Sequence, residues 1–270
     1  MKKYFLTLSL AATAGMATAA PLKTANLSTV VNDVKVSKSS AAAVPASTGQ
    51  TVDNSTTVLT GRKSRAELSF PDQTVTRIGA NSVFRFGKTS RDLAIDKGSF
   101  LLQVPKNAGG AKIRTATVTA AITGTTTMIE SSPSKWFKFI VIEGEAKLIN
   151  QKGDEVVVFP GEMIVMEPNA KNFPRKIKIN LKKLVATSKL MDEGTFGPLN
   201  QPAIALINEA ISKQMDERRG GELLPSSVII RGPDAPRLNP DGGGEGGNKS
   251  ILESITGSKG FPDSSDAPKT

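Results

Sequence analysis

The sequence predicts a mainly β protein: a compact, many-stranded β roll or jelly-roll-like sandwich, followed by two short α-helices and a disordered tail. Three observations carry this. Runs of Val, Ile, Thr and Phe recur from Gln50 to Glu167 at intervals of roughly 8 to 12 residues, the spacing of sandwiches, barrels and rolls. Turn residues separate them at Pro71-Asp72, Asp96-Lys97-Gly98, Lys152-Gly153-Asp154 and Pro160-Gly161, each placed where a strand would reverse. From about Asn169 the apolar spacing becomes helical instead.

The elements follow in order. Residues 1–19 read as a secretory signal peptide: Lys2 and Lys3 are positive, Phe5 to Met16 is apolar, and Ala17-Thr18-Ala19 supplies small residues before a cut between Ala19 and Ala20. The apolar stretch is well short of the roughly 20 residues a spanning helix needs, and no later segment is long or apolar enough. Residues 20–49 hold a strand over Leu27 to Val36 and a Ser/Ala-rich loop from Ser37 to Ser47.

Residues 50–168 form the expected β domain. Its strand-like runs are Ala66 to Phe70, Val75 to Ile78, Val83 to Phe86, Leu93 to Ile95, Phe100 to Val104 and Thr117 to Ile122. Thr125 to Glu130, Phe137 to Ile142, Ala146 to Ile149, Val156 to Phe159 and Met163 to Met166 complete them.

Residues 169–221 are the expected helical extension. Leu181, Leu184, Val185 and Met191 share one helical face. A second helix has Asn200 as N-cap, Pro202 in its first turn, a stripe of Ile204, Ile207, Ile211 and Met215, and Gly220-Gly221 as its stop. Each stripe must be buried, and the nearest targets are the other helix and the β domain. Residues 222–270 have the Gly and Pro density of a disordered tail.

Composition excludes much chemistry. The chain has neither Cys nor His, so no thiolate–imidazole or Ser–His–Asp nucleophile and no disulfide framework can be built. A zinc site would need carboxylates alone. No cofactor or metal is expected. The formal net charge is +10, and Lys2 and Lys3 carry two of those charges. Outside the cytoplasm the matching partners are lipid headgroups, lipopolysaccharide phosphates or other envelope polymers rather than nucleic acid. Solubilising surface charge is the plain alternative.

An ordered series of motifs then points to a family. Thr60-Gly61 and Ser64 to Asp72 give small residues, an alternating strand and an acidic turn. Arg77-Ile78-Gly79-Ala80-Asn81-Ser82 follows, then Leu93 to Val104 around Gly98. Thr117 to Glu130 contains Gly124-Thr125, Val141 to Ala146 contains Glu143-Gly144, and Val158 to Met163 contains Pro160-Gly161-Glu162. From Val52 to Pro168 this series resembles the FecR domain, named for extracytoplasmic proteins that relay an outer-membrane transporter's state to an anti-sigma segment. The resemblance implies a compact β domain that binds a protein segment or envelope component and is not an enzyme. Nothing here resembles the anti-sigma segment or transmembrane helix of the founding regulators, and Gln73 stands where the family usually has glycine.

Several candidate sites follow. Arg175, Lys176, Lys178, Lys182 and Lys183 lie in a run, Lys171 to Lys189, that contains no acidic residue, and this is the expected contact for an anionic partner. Asp72, Gly79, Asn81, Ser82, Gly98, Gly124, Thr125, Gly144 and Gly161 read as structural motif positions. Arg65, Arg77 and Arg85 either converge on an anion or point outward from their strands. Glu67, Asp72, Glu143 and Glu145 are the carboxylates a polysaccharide-active enzyme would use, or plain turn and surface residues. Trp136 caps the core edge or stacks on a sugar. An assembly protein of an envelope layer is the remaining alternative.

Overall fold

The computed structural model describes residues 20–39, 41–168 and 170–217. The expected signal segment and tail lie outside them, as does the expected Gly220-Gly221 stop. The described chain is mainly β, as the run spacing predicts.

The chain coils between two sheets. The first strands are β1 Thr24–Val31, β2 Val34–Lys38, β3 Val44–Pro45, β4 Thr51–Asp53 and β5 Thr56–Thr60. Next come β6 Arg65–Ser69, β7 Val75–Ile78, β8 Val83–Phe86 and the long β9 Asp92–Val104. Then follow β10 Ala111–Arg114, β11 Val118–Ile122, β12 Thr125–Ser132 and β13 Trp136–Glu143. The last are β14 Ala146–Asn150, β15 Glu155–Val158, β16 Glu162–Met166 and β17 Ile177–Lys178. One sheet runs β4-β1-β6-β7-β9-β12-β13-β16-β17. The other runs β3-β2-β5-β8-β9-β10-β11-β14-β15.

Strand β9 belongs to both. Leu93 to Lys97 pairs with β8, whereas Gly98 to Val104 pairs with β12. The expected reversal at Asp96-Lys97-Gly98 is therefore corrected: Gly98, at φ 110°, turns one strand from sheet to sheet without ending it. The expected single strand from Leu27 to Val36 is corrected too. Asn32, at φ 60°, breaks it, and β1 and β2 enter different sheets. Asn accepts this left-handed backbone better than most residues.

One core lies between the sheets. Phe84 of the second sheet meets Phe100 of the first with ring centroids 6.4 Å apart, and Phe70 meets Phe86 at 6.0 Å. The outer face of the second sheet is solvated, so β14 alternates: Ala146, Leu148 and Asn150 are buried and Lys147 is exposed. The first sheet is covered on both faces, and β13 is accordingly apolar at every position from Phe139 to Ile142. Phe137, Phe139 and Val141 enter the inter-sheet core, while Ile140 and Ile142 face a second core against the helices.

Three helices form that cover where two were expected: α1 Leu181–Thr187, α2 Glu193–Phe196 and α3 Gln201–Asp216. Asn180 and Asn200 accept at 2.9 Å from the backbone N–H groups of Lys183 and Ala203, satisfying donors that open helix ends would leave free. Met191 lies beyond α1, because Ser188 closes that helix with an extended backbone. On α3, Ala203 and Ile207 are buried, but Met215 at the end of the stripe is exposed.

Candidate partner-binding surface

The family-like motif residues collect at corners where the chain crosses between sheets. At one corner Thr60 Oγ1 donates to the Gly79 carbonyl at 2.6 Å and accepts from the Ser82 N–H at 2.9 Å. The Ser82 hydroxyl accepts from the Ser99 N–H at 3.2 Å. A Cβ on Gly79 would lie 2.0 Å from Ser99 Oγ, and one on Gly98 would lie 2.0 Å from Ser82 Oγ. Only glycine lets the crossing segments approach this closely. Asn81, at φ 53°, makes the turn between β7 and β8.

A second corner joins β11–β12 to β13–β14. Thr125 Oγ1 donates to the Glu145 carbonyl at 2.8 Å, with Gly124 and Gly144 stacked beside it. Gly161 makes the third crossing, between β15 and β16, and donates from its N–H to the Val141 carbonyl at 2.9 Å. Asp72 makes a turn and an ion pair: Oδ1 accepts from the Thr74 N–H at 3.0 Å and Oδ2 from Arg91 Nη2 at 2.8 Å. Gln73 keeps a left-handed φ of 67°, so a side chain occupies a conformation that suits glycine. Arg91 also donates through Nη1 to the Ala20 carbonyl, tying the first described residue to this turn.

The three arginines do not converge. Arg85 is exposed and pairs with Asp96 at 2.6 Å, Arg65 is partly exposed, and Arg77 is buried under the helices. Arg77 Nε donates to Glu67 Oε2 at 2.8 Å across the β6–β7 pair. Its remaining nitrogens donate to the Leu190 and Gly197 carbonyls at 3.1 and 2.7 Å, and the Phe196 ring lies 4.9 Å away. This arginine fastens the helical cover to the sheet, a role that no local pattern around it announces. Trp136 is half-buried at the start of β13, with Lys138 Nζ 5.2 Å from its ring.

Of the carboxylates, Glu67 and Asp72 are committed to ion pairs and Glu145 is exposed. Glu143 is different. It lines a cleft of about 570 Å³ between the N-terminal end of α3 and the segment after β9, beside Gln103, Lys106 and Asn200. Its Oε1 accepts from Thr126 Oγ1 at 2.7 Å, and its Oε2 is buried with no hydrogen-bond partner among the described residues. Burial pushes its carboxyl above the ordinary glutamate value, against the opposing pull of Thr126 and Lys106. Among the described residues no group of three or more acidic side chains is placed to hold a metal ion.

Arg175, Lys176, Lys178, Lys182 and Lys183 are all exposed, on the segment leading into β17, in β17 and on α1. Lys176 is already engaged: its Nζ pairs with Glu162 at 2.7 Å, donates to the Val157 carbonyl at 3.2 Å and lies 5.0 Å from the Phe159 ring. The ammonium groups of Lys178, Lys182 and Lys183 make no ion pair or hydrogen bond among the described residues.

These features define a coiled two-sheet β domain with a helical cover, structural corner motifs and an open basic segment. Residues 56–147 match the family described as FecR protein. Two crystal structures of a candidate anti-sigma factor from Parabacteroides distasonis ATCC 8503, at 1.65 and 2.50 Å resolution, are similar with TM-scores of 0.43 and 16% identity. The matches cover 48% of this chain and 63% and 62% of those chains, so less than two thirds of their length is spanned. No curated protein matches the sequence. Among the described residues no helix is long and apolar enough to cross a membrane.

Proposed function

We propose that this chain is an exported, non-catalytic FecR-type module that binds an anionic partner, a protein segment or envelope component, within envelope signalling. The observation that carries the reading is the exposed basic segment after the β domain, where Lys178, Lys182 and Lys183 have no counter-charge among the described residues. The signal-like residues 1–19 and the FecR match support an extracytoplasmic setting. Lys176 is set apart from the contact group, since its ammonium is held by Glu162 and Val157.

Replacing Lys178, Lys182 and Lys183 with Gln tests the reading. Binding to anionic phospholipid vesicles, lipopolysaccharide or an acidic peptide falls at least tenfold, with the melting temperature unchanged. Equal binding by the variant and the wild type would overturn it. A second reading, an assembly protein of an envelope layer, is favoured by one observation: among the described residues no strand lies beside the outer edge of β15.

A further inference from the structure

Strand β15 closes one end of the second sheet, and among the described residues its only strand partner is β14. The ladder register fixes which backbone groups are free. The Asn150 N–H donates to the Asp154 carbonyl, so that pair is hydrogen-bonded and the opposed residues alternate from there. Leu148–Val156 and Ala146–Val158 are then hydrogen-bonded pairs, whereas Glu155 and Val157 turn their N–H and C=O groups outward. The Lys176 contact agrees, because it reaches the Val157 carbonyl from outside the sheet. The outward N–H groups of Glu155 and Val157 have no partner among the described residues.

The other sheet ends are blunter. Strands β3 and β17 have two residues each and β4 has three, against four in β15. The edge at β15 also carries exposed apolar side chains, Val157 at 36% and Phe159 at 47% exposure. Natural edges are usually shielded by charge, and here one residue does that work. Lys176 occupies the Val157 carbonyl and covers the Phe159 ring.

The surroundings give the occupant its charge. The basic segment runs along this edge: the Lys171 carbonyl accepts from Asn150 Nδ2 at one end, and Lys176 meets Val157 at the other. Lys152 and Lys171 are exposed there without a salt bridge, Glu155 and Glu162 are neutralised by Lys147 and Lys176, and Asp154 adds one exposed carboxylate beside the β14–β15 turn.

We infer that β15 is a docking edge for an extended, acidic strand of a partner protein, added to the second sheet beside Glu155 to Val158. Main-chain hydrogen bonds to Glu155 and Val157 supply the attachment, as in strand-addition complexes generally. The incoming strand displaces the Lys171–Lys176 segment from this edge, and its N–H replaces Lys176 at the Val157 carbonyl. Apolar side chains of the added strand meet Val157 and Phe159, and its carboxylates meet the lysines along the edge. The inference rests on the function proposed above and names its partner as a protein strand rather than a membrane surface.

The test uses the purified protein and a blocked, strand-length peptide of alternating glutamate and valine. The peptide shifts the Glu155 and Val157 amide resonances and slows their hydrogen exchange. Val157→Pro removes an outward N–H without touching the β14 ladder, so it leaves the melting temperature nearly unchanged and weakens binding at least tenfold. The same peptide with lysine in place of glutamate does not bind. Absence of any shift at Glu155 and Val157 in the wild type would overturn the inference, whether or not the proline variant folds. Vesicle binding that Val157→Pro leaves intact, with no peptide binding, would overturn it while sparing the proposed function. A concentration-dependent dimer abolished by Val157→Pro would assign the edge to a second copy of this chain instead.

Discussion

Arg77 and Gly197 lie 120 residues apart, and the arginine Nη2 donates to the glycine carbonyl at 2.7 Å. The same guanidinium holds Glu67 in the sheet and Leu190 in the cover, so one buried side chain fixes how the helical segment sits on the β domain. A buried charge of this kind is tolerable because its donors are taken up by a carboxylate and two carbonyls.

Replacing Arg77 with Met therefore has a large expected cost. It leaves Glu67 without its cation and two carbonyls without a donor, and breaking one side of a buried pair costs about 3–5 kcal/mol. Chemical denaturation measures the loss. The double variant Arg77→Met with Glu67→Gln loses less than the two single changes summed, because the partners share one interaction. Additive losses would show that the pair is not the fastening.

Glu143 gives a pH signature. Its folded carboxyl is raised by burial, so its favourable contribution is complete below about pH 4.5 and is lost as pH rises through the folded value. Glu143→Gln keeps an acceptor for Thr126 and removes the titration. Thermal melts from acid to neutral pH should show the wild type falling relative to Glu143→Gln. Parallel curves would mean that the cleft is wet enough to solvate the charge.

The corners predict opposite outcomes for two glycine exchanges. Gly98→Ala combines a left-handed backbone, worth about 1–2 kcal/mol, with a Cβ 2.0 Å from the Ser82 hydroxyl. Its expected loss is at least about 2 kcal/mol by denaturation. Gln73→Gly, at φ 67°, relieves the same backbone cost and gains at most about 1 kcal/mol, since glycine also frees the unfolded chain. A stable Gly98→Ala protein would contradict the close crossing of β8 and β9.

Much of the fold is legible in side-chain period. Alternation in Ala146 to Asn150 marks a strand with one wet face, and the unbroken apolar run Phe139 to Ile142 marks one covered on both. What period does not reveal is where a strand bends. Asp96-Lys97-Gly98 has the chemistry of a reversal, yet Gly98 carries β9 from one sheet into the other. Short strands such as β4 and β10 escape notice because three or four residues carry too little pattern. The candidate surface is only half legible. The basic run stands out as charge, but the engagement of Lys176 and the outward groups of β15 depend on register, which local sequence does not contain.

The most direct test of the central claim is a salt titration of binding. Wild-type protein is mixed with vesicles containing anionic phospholipid, with lipopolysaccharide, or with an acidic peptide, across a range of ionic strength. Attraction through exposed lysines is screened within about 8 Å at physiological salt, so affinity should fall steeply as salt rises. The Lys178, Lys182 and Lys183→Gln protein should show a weaker affinity and a shallower slope. If the wild type binds none of the three at low salt, or binds with no salt dependence, the basic segment is not a contact surface and the account is contradicted.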